Sequence, residues 1–233
     1  LLARNPEPGL RWLVENGATT MPLSGILTRK PMRRLCDTGE TTNMNRAVDF
    51  LFAIGDLDVA FTLAALDGLV EGQQAKPLRP TIDPTAVLSK LNANGDPQVK
   101  ARARQLGTLW GDATANEQTL AVITDSHASI VERTTAIQSV RQLKSSVARE
   151  ALLNLVAQDN PEPLVVVAIR ALSERDDETI SGMLVARWKN FTPAERAAAA
   201  DGLLSRGRWV PALLAAIESK HIAASELSAG AIQ

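Results

Sequence analysis

Two histidines, His127 and His221, and one cysteine, Cys36, are all the imidazole and thiol groups the chain has. A zinc centre takes three or four His, Cys or carboxylate ligands at short, regular spacing. Here the histidines stand 94 residues apart, and Cys36 lies 91 residues before the first of them. That spacing predicts no metal site, and a single thiol excludes an internal disulfide. No G-x-G-x-x-G, phosphate-loop, H-E-x-x-H, G-x-S-x-G or C-x-x-C-H pattern occurs. The carboxylate run Asp176, Asp177, Glu178 is expected at a helix start, where it opposes the positive end of the helix dipole. The residues by themselves nominate no catalytic group and no cofactor.

Two groups of residues have the chemistry of recognition instead. "RKPMRRLCD", 29–37, holds Arg29, Lys30, Arg33 and Arg34, the densest basic stretch in the chain. Such a cluster suits an acidic partner or a phosphate; it equally suits a solvated helix face with Met32 and Leu35 turned inward. Four tryptophans, Trp12, Trp110, Trp188 and Trp209, stand out in a chain only 3% aromatic. Core filling is their ordinary use, and anchoring a partner is the functional one, with Trp110 and Trp188 the candidates. The balance of 25 basic and 26 acidic residues gives no global attraction to nucleic acid or anionic membrane. No apolar run approaches the ~20 residues of a membrane-spanning helix.

The elements that must position these residues are helices. The chain is 45% apolar, rich in Ala and Leu, and lacks Tyr, which favours helix packing over sheets. Proline reads as a mark of helix starts: Asn5-Pro6, Asp83-Pro84, Asp96-Pro97, Asn160-Pro161 and Thr192-Pro193 each pair a capping side chain with Pro at the first helical position. Thr192 and Glu195 add a capping box. "LVVVAI" at 164–169 has the composition of a strand, but Asn160-Pro161 announces a helix before it.

A repeat decides the matter. Ala103, Ala136, Ala168 and Ala199 recur at intervals of 33, 32 and 31, and Leu120, Leu153, Leu184 and Leu214 at 33, 31 and 30. Each unit is a helix, a turn and a second helix, the signature of an α-solenoid. Lys100, Arg133 and Arg196 share a column three residues before the alanine, broken by Val165, and are expected to form a ladder between neighbouring turns. The predicted fold is all-α, an α-α superhelix (HEAT/armadillo-like solenoid) of about twelve helices. Residues 1–72 form an irregular helical part with helices at 6–15, 22–36, 43–54 and 57–71. A connector occupies 73–83, and regular repeats fill 84–233. From the start "LLARNPEPG" and the end "AGAIQ", which falls inside an expected helix, the chain is expected to be a segment of a longer protein.

"GDPQVKARARQLGTLWGD", 95–112, resembles the HEAT repeat unit, with its Asp-Pro turn, Val, basic residue, Ala and Leu-Gly. "PMRRLCDTGE", "LDGLVEGQQAKPLRP", "LGTLWGDA" and "IESKHIAASELSAGAIQ" resemble the HEAT segment of large bacterial membrane-bound dehydrogenase-like proteins. That resemblance implies a noncatalytic solenoid between a β-propeller and a c-type cytochrome domain, an exported protein, and partners that are flanking domains or another protein. It transfers no catalytic residue and no cofactor. Some HEAT-like folds are instead DNA glycosylases acting on alkylated bases; that likeness implies Trp110, Asp112, Arg149 and Trp188 as site residues. The near-neutral charge disfavours nucleic acid as a partner.

Overall fold

The computed structural model describes residues 6–15, 21, 23–37, 39–74, 76–141, 143 and 145–227. Among them every regular element is a helix, and "LVVVAI" lies within one, Glu162–Ser173. The chain divides into two compact units, Leu1–Thr119 and Leu120–Gln233.

In the first unit the helices are α1 (Pro6–Glu15), α2 (Ser24–Asp37), α3 (Thr41–Ile54), α4 (Val59–Gly72), α5 (Thr85–Asn92) and α6 (Pro97–Trp110). Helix α7 (Ala113–Thr124) runs across the division. Two series stack here: α2 on α4 on α6, and α1 on α3 on α5. Sequence neighbours also meet, α1 with α2, α2 with α3, α3 with α4 and α5 with α6. Contact with the next helix and the next but one is how stacked helical hairpins bury a face that no single hairpin can bury.

The segment 73–84 is pinned rather than slack. Gln73, fully buried, accepts from Leu78 N at 3.1 Å, and Asn45 of α3 accepts from Thr81 N at 2.8 Å. Helix α4, which precedes it, packs directly on α6, the helix after α5.

In the second unit α8 (Ile130–Val140), α10 (Glu162–Ser173) and α12 (Pro193–Leu204) form one series. The partner helices are α9 (Ser146–Ala157), α11 (Glu178–Arg187) and α13 (Val210–Glu218), with α11 on α13. Short 3-10 turns cover Trp188–Asn190 and Ala224–Glu226.

The alanine column holds its position throughout: Ala103, Ala168 and Ala199 are fully buried and Ala136 is 5% exposed. The leucine column does not. Leu184 is fully buried, but Leu214 is 52% exposed and Leu213 takes the inward place at 1%. In a nine-residue helix the inward face is set by Leu213 and Ala216, and Leu214 falls about 100° round from it.

The caps divide in the same way. Asp96 accepts from Gln98 N and Val99 N with Pro97 behind it, and Thr192 and Glu195 form the full capping box. Asp83 accepts from Thr85 N at 2.9 Å, so Pro84 stands at the cap and the helix starts one residue later. Asn160 caps nothing ahead of it. Its amide donates back to Leu155 O of α9 at 2.9 Å, and its oxygen accepts from Arg133 at 3.3 Å. Asn5 lies outside the described residues. Nor is proline confined to helix starts: Pro31 sits buried in the middle of α2. Its missing N–H costs one helical bond, and it lies on the face of α2 that carries Met32, Leu35 and Cys36 into the core.

Helices α2 and α4 approach closely because Gly68 and Gly72 present no side chain. A Cβ on Gly68 would fall on the carbonyl of Arg29 and 3.0 Å from Met32 Cβ; one on Gly72 would lie 2.8 Å from Cys36 Cβ.

Candidate functional site

The basic column acts as the expected ladder in the second unit. Arg133 is 8% exposed and donates through Nε to Ile123 O, near the C-terminus of α7, at 3.0 Å. Arg196 donates through Nε to Trp188 O, just past the end of α11, at 3.2 Å. Each arginine thus starts one repeat by donating to a carbonyl at the end of the last, where the helix dipole favours a cation. Lys100 is exposed.

A second column escapes the sequence reading. Arg175 donates to Val140 O, the last residue of α8, at 3.2 Å, and Arg206 donates to Ser173 O, the last residue of α10, at 2.6 Å. Their spacing of 31 residues matches the alanine column, and that match is the signal that could have found them. Carboxylate rungs join the same loops: Arg141 to Glu174 at 3.2 Å and Arg208 to Asp176 at 3.4 Å.

These loops enclose a cleft of about 630 Å3, lined by Arg141, Ser145, Ser146, Arg149, Arg175 and Asp177 among others. Ser145 and Ser146 are the N-cap and first residue of α9. Arg149, one of the residues that the glycosylase likeness implies, pairs with Asp177 and donates to Thr179 Oγ1 at 2.6 Å. Asp177 also caps α11 through Thr179 N. Hydrogen bonds from Thr179, with those from Arg149 behind them, hold the Asp177 carboxyl below the usual range. Burial, and then the charge of Arg149, push the Arg175 guanidinium down.

The other candidates stand elsewhere. Trp188 is fully buried in the second unit, its Nε1 donating to Glu226 at 3.3 Å. It follows the far end of α11 from Asp177, about 15 Å along a ten-residue helix, so it does not join Arg149. Trp110 is 5% exposed, inside the first unit's core. Asp112 accepts from Ala115 N at 2.7 Å and caps α7. The tryptophan on the surface is Trp12, at 49% exposure. Arg29, Lys30, Arg33 and Arg34 form one exposed face of α2. Arg29 pairs with Glu71 of α4, its Nε 3.1 Å from Oε2, which keeps the Glu71 carboxyl below its ordinary value. Met32 and Leu35 are turned inward and fully buried, as the solvated-face reading requires.

His221 Nε2 lies 3.1 Å from Val185 O. Cys36 is buried, and desolvation pushes its thiol up to about 12. Among the described residues no three His, Cys, Asp or Glu gather as a metal would require, and no helix is long and apolar enough to cross a membrane. A smaller cleft of about 310 Å3 in the first unit, floored by Leu10, Leu35 and Phe50, contains none of the predicted residues. No family model matches the chain, and no curated protein does either.

Proposed function

We propose that the chain is a noncatalytic HEAT-like scaffold, an interaction segment of a larger bacterial protein that spaces or docks flanking domains. A propeller dehydrogenase domain and a c-type cytochrome domain are the neighbours that the sequence resemblance suggests, and export follows from the same resemblance. The observation that carries the reading is the use made of the cations. Arg133, Arg196, Arg175 and Arg206 each satisfy the carbonyl end of a preceding helix, so repeat is bound to repeat and the stack serves as a stiff spacer. The residues left facing outward, above all Lys30 and Arg33 on α2, suit recognition of an acidic surface.

The test is to purify this segment and the domain that follows it in its parent chain, and to titrate one into the other by NMR. Shifts clustered on one helical face support docking, at weak affinity because covalent linkage supplies a high effective concentration. Absence of shifts at millimolar concentration contradicts it. Release of alkylated bases from duplex DNA, lost in Asp112→Asn, would replace the scaffold with the enzyme alternative.

A further inference from the structure

Leu23 stands in the left-handed region, with φ 70°, just ahead of α2. Its carbonyl accepts from Leu27 N at 2.9 Å, so it belongs to the first turn of the helix. Glycine adopts that conformation freely and leucine does not. The core does not hold it there: Leu23 is 68% exposed, and Ile26, three residues on, is 53% exposed. Strain that sets an apolar side chain out in water points to a ligand that covers it.

The same face of α2 carries positive charge. Leu23, Ile26, Lys30 and Arg33 follow one another at steps of three and four residues and all are exposed, so they form one stripe about 15 Å long. Arg29, beside it, pairs with Glu71 of α4. Arg34 stands in the last turn, where it meets the negative end of the helix dipole. Among the described residues neither Lys30 nor Arg33 has an ion-pair partner; Arg33 acts on Glu71 only through its charge, behind Arg29. Asp37, exposed at the far end, is the one carboxylate on the stripe, so two cations face one acid. We infer that this stripe binds an acidic segment of a flanking domain, with apolar side chains over Leu23 and Ile26 and carboxylates over Lys30 and Arg33. The inference rests on the scaffold reading and states what the docked partner brings to α2. An anionic bilayer fits the stripe less well. The stripe is one helix wide, and α4 alongside shows Asp67 and Glu71 partly exposed, which a broad negative surface would also meet.

The probe is a short synthetic peptide with two leucines followed by two glutamates, titrated into the labelled protein and followed through the amides of 23–37. Saturable shifts of roughly millimolar affinity are expected, and none from the counterpart peptide carrying glutamines. Lys30→Glu combined with Arg33→Glu should weaken binding roughly tenfold without lowering the melting temperature, because both side chains are exposed. Leu23→Gly is the sharper variant. It should weaken the peptide roughly fivefold while the melting temperature holds or rises, because glycine relieves the strained φ. A leucine of merely structural use would lose stability instead. No saturation by roughly 10 mM, an equal response to the glutamine peptide, full affinity in either variant, or binding to phosphatidylserine vesicles in place of the peptide would each overturn the proposal. Hydrogen exchange in the parent protein separates it from the scaffold reading: protection confined to another face overturns this inference alone, and protection nowhere overturns both.

Discussion

The seam between α2 and α4 offers a matched pair of glycines. Gly68 faces the Arg29 carbonyl, and a Cβ there would lie only 3.1 Å from the carbonyl carbon and 3.0 Å from Met32 Cβ. Gly25, on α2, faces Ala64 of α4, and a Cβ at that position would meet Ala64 Cβ at an ordinary 3.7 Å. Alanine is favoured over glycine within a helix by about 1 kcal/mol, and by less in a first turn. Gly25→Ala should therefore stabilise by about 0.5 kcal/mol. Gly68→Ala gains the same propensity term but must push a backbone carbonyl aside, which no rotamer change can avoid. Overpacking of this kind costs about 1–3 kcal/mol, the upper end applying where the obstacle is backbone. The net expectation is a loss of about 2 kcal/mol, against a gain of about 0.5 at Gly25. Urea unfolding followed by tryptophan fluorescence reads both. Equal midpoints for the two variants, or a stabilised Gly68→Ala, would refute the close approach of α2 and α4.

Other expectations follow from the same packing. Ala168, fully buried between neighbouring helices, should tolerate Leu only at a cost of about 1–3 kcal/mol, and Asp at a greater one, read from thermal melts. Leu213→Ala should cost about 2–5 kcal/mol, whereas Leu214→Ala at its exposed position should stay within about 0.5 kcal/mol, a comparison that fixes the register of α13. The Asp177 carboxyl is depressed in the folded chain, so its stabilisation is complete above the ordinary carboxylate range near about pH 4 and fades as pH falls through the lower folded value. Asp177→Asn should flatten the acid limb of a stability–pH profile, and an unchanged limb would show that the hydrogen bonds Asp177 accepts from Thr179 and Arg149 add nothing to stability.

The helices are legible wherever two signals agree. Residues 164–169 carry strand composition, yet the 31–33-residue alanine spacing puts Ala168 in a helix–helix contact, and tertiary packing overrides the weak propensity of three valines. Asn160 misleads because an Asn before a Pro looks the same whether its side chain reaches forward to cap or backward to Leu155 O; only the loop's path decides. Leu214 misleads because a period near 30 residues does not specify the face of a helix to within one residue. Of the site candidates, Trp110 and Trp188 are buried, the ordinary fate of tryptophan in a chain poor in other large side chains. The arginines that bind carbonyls, Arg175 and Arg206, stay hidden because their acceptors are backbone atoms about 35 and 33 residues away, and backbone acceptors leave no mark on composition.

If this chain works by being docked against, through an outward face of its helical stack, that face must be shielded in the protein to which it belongs. Hydrogen exchange measured on the intact parent protein and on this segment alone reads the shielding amide by amide. Docking predicts that amides of one contiguous face, including the α2 turn that carries Lys30, Arg33 and Arg34, exchange more slowly in the intact protein, while buried amides around Ala168 and Leu172 are unchanged. Identical exchange in the two forms at every amide of the described residues would rule docking out.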